Sequence, residues 1–300
     1  EIGVRLVGSE MCIRDRLSSG WAGSQLLNSD DYRAYVGGTT GLIYGFVNDG
    51  FYTVDDFKPF DSKSRTWTLK DGVVNSSPLS GDPRPGNAKF KKLTPVDENS
   101  ANPYTLTDDD RTVIGNTTPK FSGGFGLNAT FKGFDVSAFF NFMYDFDVFN
   151  ANKVMMTTWA SNNYNNFSMD ISAAKRWRNF DDMGNEIRYS PEILAEFNKN
   201  ATMWNPTSIG RPIAMSYAVE DGSFLRLNTA TIGYTLPRAW TNKVGLSRVR
   251  FYASGYNLFT ITGYSGYDPE VDIATGLTPN IDNNRYPRSR TYTFGVQLTF

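Results

Sequence analysis

Apolar and polar residues alternate cleanly over residues 290–300. Tyr292, Phe294, Val296, Leu298 and Phe300 fall on one face of an extended strand, and Thr291, Thr293, Gly295, Gln297 and Thr299 on the other. The same period governs 122–131, where Phe125, Leu127, Ala129 and Phe131 alternate with Gly124, Gly126, Asn128 and Thr130. After Lys132-Gly133 it resumes over 134–147, with Phe134, Val136, Ala138, Phe140, Phe142, Tyr144 and Phe146 on one side. Asp135, Ser137, Asn141, Asp145 and Asp147 line the other, with Phe139 and Met143 as apolar exceptions. Two long alternating runs joined by so short a link predict a hairpin.

Further strands are predicted over 223–235 and 248–260, although Arg226 and Asn228 share a face with Phe224, Ile232 and Tyr234 and blur the pattern. Residues 40–54 read as a strand with a hairpin or bulge at Asn48-Asp49-Gly50. A short helical turn is expected over 29–36, and a helix over 191–198 behind a Ser190 cap. Between successive strands the connections run to about 64, 2, 74, 12 and 29 residues, an alternation that antiparallel membrane barrels produce by placing tight turns on one side and elaborated loops on the other. With Phe300 at the periplasmic end, every long connection projects outward.

Composition narrows the picture. Aromatic residues make up 15% of the 300 residues, with 27 Gly, which favours an all-β fold. No apolar run reaches the roughly 18 residues of a membrane helix, whereas a barrel strand needs only about 10 alternating ones. The net charge of -1, with Lys and Arg scattered, argues against nucleic acid as a partner. Zero His and one Cys remove most zinc sites, Ser/His/Asp triads and Cys/His pairs, so no catalytic, cofactor or metal site is assigned and the chain does not read as an enzyme. Asp108, Asp109 and Asp110 read as a solvated loop without the turn Gly and distal Glu of a calcium loop, and Asp268-Pro269-Glu270 as a turn.

Three resemblances add to this. Residues 6–15 (Leu-Val-Gly-Ser-Glu-Met-Cys-Ile-Arg-Asp) resemble the in-frame translation of a sequencing adapter, so 1–16 are expected to lie outside the fold. Thr293, Gly295, Leu298 and Phe300 resemble the C-terminal signal read by the barrel-assembly machinery of bacterial outer membranes. Finally, Tyr44-Gly45-Phe46, Asn48-Asp49-Gly50-Phe51-Tyr52, Asp110-Arg111-Thr112-Val113-Ile114-Gly115 and Gly133-Phe134-Asp135-Val136-Ser137 resemble SusC/RagA-type TonB-dependent transporters. So do Asp221-Gly222-Ser223-Phe224-Leu225-Arg226-Leu227, Ile232-Gly233-Tyr234-Thr235-Leu236-Pro237, Asn257-Leu258-Phe259, Tyr264-Ser265-Gly266-Tyr267-Asp268-Pro269-Glu270 and Tyr286-Pro287. That resemblance implies that 17–300 form the C-terminal strands of a partial antiparallel transmembrane β-barrel of about 22 strands with long extracellular loops. It further implies a Gram-negative outer membrane and TonB-energised import of glycans or peptides with a SusD-like surface lipoprotein. The plug and the TonB contact would lie outside this segment.

Trp159, Tyr164, Trp177 and Trp204, in the long connection over 149–222, are candidate contacts to cargo or lipoprotein, since aromatic faces pack on sugar rings and anchor interfaces. The competing reading of these rings is packing of loop against loop. Tyr144, Phe146, Tyr234 and Phe259 lie near strand ends, where an interfacial aromatic girdle would sit. The alternative for the whole chain is a secreted, soluble β-rich carbohydrate-binding or carbohydrate-active domain. The two readings differ on one point: a barrel leaves Phe125, Leu127, Phe140, Phe142, Phe294 and Val296 as a continuous exposed band, whereas a soluble domain covers them with a second layer.

Overall fold

The alternating stretches form one 5-stranded antiparallel sheet in the computed structural model, which describes residues 32–33, 39–96, 98, 100–158, 167–210, 213–271 and 278–300. Strands β1 (Phe121–Phe131), β2 (Phe134–Tyr144), β3 (Phe224–Thr235), β4 (Arg248–Thr262) and β5 (Thr291–Thr299) follow one another as a meander, each paired with its neighbour in sequence. Lys132 and Gly133 both have positive φ, 44° and 86°, as a tight two-residue β-hairpin turn requires. Phe125 faces Phe140 and Leu127 faces Ala138, so a slip of one residue would move the whole apolar set to the polar side.

The mixed face of β3 has a structural cause. Pairing shifts between Leu227 and Thr229 on both sides of β3: against β2 Asn228 is the extra residue of a β-bulge, whereas against β4 the extra residue lies in β4, where Asn257 and Leu258 oppose Asn228. Below the bulge Leu225 and Leu227 join the apolar face while Phe224 and Arg226 turn to the other; above it Ala230, Ile232 and Tyr234 are apolar-facing. Asn257 of β4, at the same level with φ 52°, donates from Nδ2 to the Ser289 carbonyl at 3.1 Å.

Several expectations are corrected. β2 stops at Tyr144, because Asp145 turns the chain at φ 58° and a separate strand, Asp147–Asn150, leaves the sheet. Phe146 is therefore not a girdle residue: it is buried against Phe224, ring centroids 6.4 Å apart. Residues 40–54 lie outside the main sheet and take the bulge rather than the hairpin, the register against Ala88–Phe90 shifting between Asn48 and Phe51. Leu42–Gly45 pairs with Tyr32–Arg33 and Thr112–Asn116, and Asn48–Phe51 with Ala88–Phe90. The Asn48 side chain accepts from the Gly50 amide at 3.1 Å, so the Asn-Asp-Gly signal makes a local turn within one strand. Tyr32–Arg33 is extended rather than helical; the rest of 29–36, like 1–16, lies outside the described residues. The helix Pro191–Phe197 forms, but Ser190 makes no side-chain cap bond. Its other end is closed by Asn198 Nδ2 donating to the Leu194 carbonyl at 2.9 Å.

The hydrophobic core sits in the connections, not on the sheet. Ile43, Phe46 and Phe90 from the segment before β1 pack with Phe149, Val154, Trp204 and Met215 from the β2–β3 connection. Tyr264 and Val271 from the β4–β5 connection join Phe146 and Val148. Burial of each such side chain contributes about 1.5–3 kcal/mol relative to exposure, enough in sum to hold three long connections as one body. They all emerge at the sheet end marked by Phe121, Tyr144, Phe224 and Thr262, whereas the opposite end carries only the Lys132-Gly133 turn and residues 236–247.

Candidate functional site

Register across the meander builds an apolar outer face row by row. Phe125, Phe140, Leu227 and Phe259 make one row; Ala129, Val136, Ile232, Ala253 and Phe294 another; Phe131, Phe134, Tyr234, Phe251 and Val296 a third. Phe125 and Phe140 stack with centroids 4.9 Å apart, and the Phe134 and Tyr234 rings lie 4.5 Å apart. Leu127 remains 60% exposed and Phe294 80%, and no second layer of described residues covers them. Phe140 and Phe142 are half-buried by their neighbours within the same band. At about 3.3 Å per residue a tilted strand of 9–12 residues spans the roughly 25 Å apolar zone of an outer membrane. No described helix is long and apolar enough to cross a membrane.

The opposite face is polar. Asn128, Ser137, Thr231, Ser254 and Thr293 form a row across all the strands, with the Thr231 and Ser254 hydroxyls 2.8 Å apart. The next row holds Thr130, Asp135, Gly233, Tyr252 and Gly295, and there Arg250 pairs with Asp135.

Where sheet meets loops, Arg226 is only 2% exposed. Its Nη2 donates to Asp268 Oδ1 at 2.5 Å and its Nη1 lies 3.4 Å from Glu270 Oε2, while Arg288 holds Glu270 Oε1 at 2.7 Å. Asp268-Pro269-Glu270 is a turn, since the Glu270 amide donates to Asp268 Oδ1 at 3.0 Å, and its carboxylates are committed to arginines. Nearby, Glu220 accepts from the Ser265 amide and hydroxyl at 2.9 and 2.8 Å and lies 3.1 Å from Lys153. Burial opposes its charge, but the Ser265 bonds and Lys153 outweigh that and hold the carboxyl below its usual range. Tyr264 donates to Asp282 Oδ2 at 2.6 Å, and burial, reinforced by that carboxylate, pushes its phenol far up. The Glu220–Ser265 bonds tie the β4–β5 connection to the β2–β3 connection, and Arg226 ties it to β3.

Asp108 and Asp109 are exposed, as read from the sequence, but Asp110 is not solvated, which corrects the reading at that residue. Fully buried, its carboxylate accepts from the Leu93 and Thr94 amides, the Thr94 hydroxyl and the Thr107 amide at 2.7–2.9 Å, with Lys92 at 3.3 Å. Burial works against ionisation, yet the bonds from Thr94, Thr107 and Leu93 prevail and hold the carboxyl well below the usual range. The signal was present as Thr107 three residues ahead of Asp110, a capping-box spacing. Arg226 had its own signal, the charge that broke the alternation of β3.

Of the aromatic candidates, Trp177 and Trp204 are buried between loops. Trp177 lies edge-on to Phe51 at 5.7 Å, and a Cβ on Gly86 would stand 2.2 Å from its ring. Trp204 packs on Tyr217 at 4.8 Å and donates to the Thr157 carbonyl at 3.3 Å. Trp159 and Tyr164 lie outside the described residues. Thr293, Gly295 and Leu298 belong to the edge strand β5, with Phe300 just beyond it and 89% exposed. Gly295 faces Tyr252, whose ring occupies the space a side chain would take.

No protein-family model matches the chain. It is 30% identical to TonB-dependent receptor P3 of Formosa agariphila over 88% of its own length and 22% of that protein's. It is 32% identical to TonB-dependent receptor SusC of Bacteroides thetaiotaomicron over 50% of its length and 15% of that protein's. In fold it resembles the RagAB peptide importer in its "closed-closed" state, with a TM-score of 0.57 at 22% identity over 90% of this chain and 24% of that one. The "open-open" state gives 0.54 at 22% identity over 86% and 22%. The chain thus spans about a quarter or less of the relatives it matches. By sequence it belongs to the SusC/RagA-type TonB-dependent receptors, outer-membrane proteins of Gram-negative bacteria.

Proposed function

We propose that this chain supplies barrel wall and extracellular loops to an importer that moves glycans or peptides across the outer membrane, energised through TonB and served by a SusD-like lipoprotein at the loop body. The observation that carries this reading is the uncovered apolar band running from Phe125 on β1 to Phe294 on β5, which a soluble carbohydrate-binding domain would have to bury. Lipid covers that band, and the hydroxyl-rich face lines the lumen. The relatives named as TonB-dependent receptors and the fold shared with a peptide importer support the assignment. Transport belongs to the complete receptor, which must also supply the plug and the TonB contact. No covalent chemistry is assigned to this segment.

Within that reading, β5 closes the barrel, and Thr293, Gly295, Leu298 and Phe300 form the signal read by the assembly machinery. Deleting Phe300 from the complete receptor is expected to cut outer-membrane insertion sharply, measured as surface-labelled, heat-modifiable protein. Surface levels equal to the parent's would overturn the role of this strand end.

A further inference from the structure

Between two of the outward connections lies a cavity of about 540 Å³ lined by Arg65, Arg84, Arg188, Trp67, Tyr189 and Asn179. Asp82 is the sole acid on its wall. Arg188 is already paired with Glu186, whereas no carboxylate of the described residues pairs with Arg65 or Arg84. In a chain whose net charge is -1, this concentrates positive charge at one concave site.

The cations are set on an aromatic floor. Phe60 packs on Trp67 at 4.8 Å and on Tyr189 at 6.1 Å, and Phe57 meets Trp67 edge-on at 5.4 Å. The guanidinium of Arg65 sits 5.3 Å from the Tyr189 centroid and that of Arg188 5.8 Å from the same ring. A guanidinium resting on a ring still has in-plane N–H groups with which to grip a carboxylate or sulfate.

The presentation of Arg65 is costly. It has φ 55°, a left-handed conformation that disfavours residues with a Cβ, at the tip of a turn closed by Asp61. Asp61 accepts from the Lys63 amide at 2.9 Å and the Ser64 hydroxyl at 2.7 Å, which fixes the turn and aims Arg65 at the cavity. The facing wall is rigid as well: Pro83 and Pro85 flank Arg84, and Asn87 donates to the Ser80 and Asp82 carbonyls at 3.1 and 2.9 Å.

We propose that this cleft binds anionic saccharide, a sugar unit bearing carboxylate or sulfate, with Arg65 and Arg84 as the anion-binding forks and the Trp67 and Tyr189 side of the floor taking the apolar face of the ring. Arginine forks alone would suit any carboxylate; the aromatic floor with Asn179 beside it is what selects a ring carrying hydroxyls. This inference rests on the import reading and narrows its cargo.

The test uses the complete receptor, purified in detergent, titrated with oligogalacturonate, a sulfated oligosaccharide, a neutral oligosaccharide of equal length and a poly-glutamate peptide. The anionic sugars are expected to bind at least tenfold tighter than the neutral one. Arg65→Gln and Arg84→Gln should each weaken them about tenfold, the worth of one charged hydrogen bond, and weaken the neutral sugar by much less. Both arginines are exposed and unpaired by carboxylate, so the variants are expected to fold; equal heat-modifiability confirms it. Equal affinity for neutral and anionic sugars, or no response to either substitution, overturns the proposal. Preference for poly-glutamate over the sugars overturns the ligand class. Failure of the cleft in a receptor that still inserts in the membrane leaves the import reading standing, whereas failure of insertion would remove that reading itself.

Discussion

Arg250 of β4 reaches Asp135 of β2 across the strand between them. Its Nε donates to Oδ1 at 3.0 Å and its Nη2 to Oδ2, and both groups pass over Gly233 of β3, where a Cβ would stand 2.5–2.7 Å from them. The absent side chain makes the bridge. Gly233→Val is therefore expected to break the pair rather than strain the backbone, because the guanidinium is the flexible end of a long side chain. The pair is partly exposed on a wet face, so the loss is about 0.5–1 kcal/mol. Gly233→Val and Asp135→Asn should be non-additive in thermal unfolding of the complete receptor; simple additivity would show that Gly233 serves something else.

Gly133 should tolerate change less well. It combines φ 86° with a would-be Cβ 2.8 Å from the Thr235 carbonyl oxygen, and neither obstacle can swing away. Gly133→Ala is expected to cost about 1–2 kcal/mol, more than Gly233→Ala. The order of the two unfolding midpoints checks this.

The buried Arg226 gives a prediction with a rescue. Asp268→Asn with Glu270→Gln leaves a guanidinium without its counter-charges, at a cost of about 3–5 kcal/mol, seen as faster proteolysis within 263–290. Adding Arg226→Met removes the orphaned charge and should restore most of the protection. If the triple variant is cleaved as fast as the double, the turn itself rather than the charge holds this connection.

Two loop acids should respond to pH with opposite signs. The folded state depresses Asp110 below its ordinary value of 3.8, so its bonds stabilise fully above about pH 5 and are lost as pH falls through the folded-state value. Asp147 is raised above 3.8: burial, joined by the charges of Asp221 and Asp145, outweighs the bond from the Asn116 amide. Its ionised form therefore detracts from stability at neutral pH, and acid relieves the penalty. Asp110→Asn should cost about 2–4 kcal/mol at pH 7, a deficit that narrows below pH 4. Asp147→Asn should gain stability at pH 7 and lose the advantage below pH 4. Tryptophan fluorescence against urea at several pH values separates them.

The barrel face was legible because period-2 alternation in β1, β2 and β5 depends only on neighbours in sequence. β3 was half legible: the bulge at Asn228 switches faces mid-strand, so Arg226 and Ile232 looked like face-mates when they point to opposite sides. The loop body was hardly legible. Its strands are short and pair with partners far along the chain, Ile43 with Gly115 and Phe149 with Val219, so no local pattern announces them. Asp110 was misread for the same reason: Leu93 and Thr94, which bury it, come from another turn of the loop.

The sharpest test of the membrane face compares substitutions on opposite sides of one strand pair. Ile232 of β3 and Phe294 of β5 are exposed on the apolar band, whereas Thr231 and Ser254 meet on the polar face. An arginine at Ile232 or Phe294 must sit in hydrocarbon if lipid covers the band, which costs about 2–4 kcal/mol near the midplane and less toward either edge. Thr231→Arg faces water in the lumen and is expected to leave insertion near the parent's level. Fractionation of the complete receptor should thus show loss of outer-membrane protein for Ile232→Arg and Phe294→Arg, with Ile232→Leu unaffected. Equal tolerance of arginine on both faces would mean that water, not lipid, meets the band.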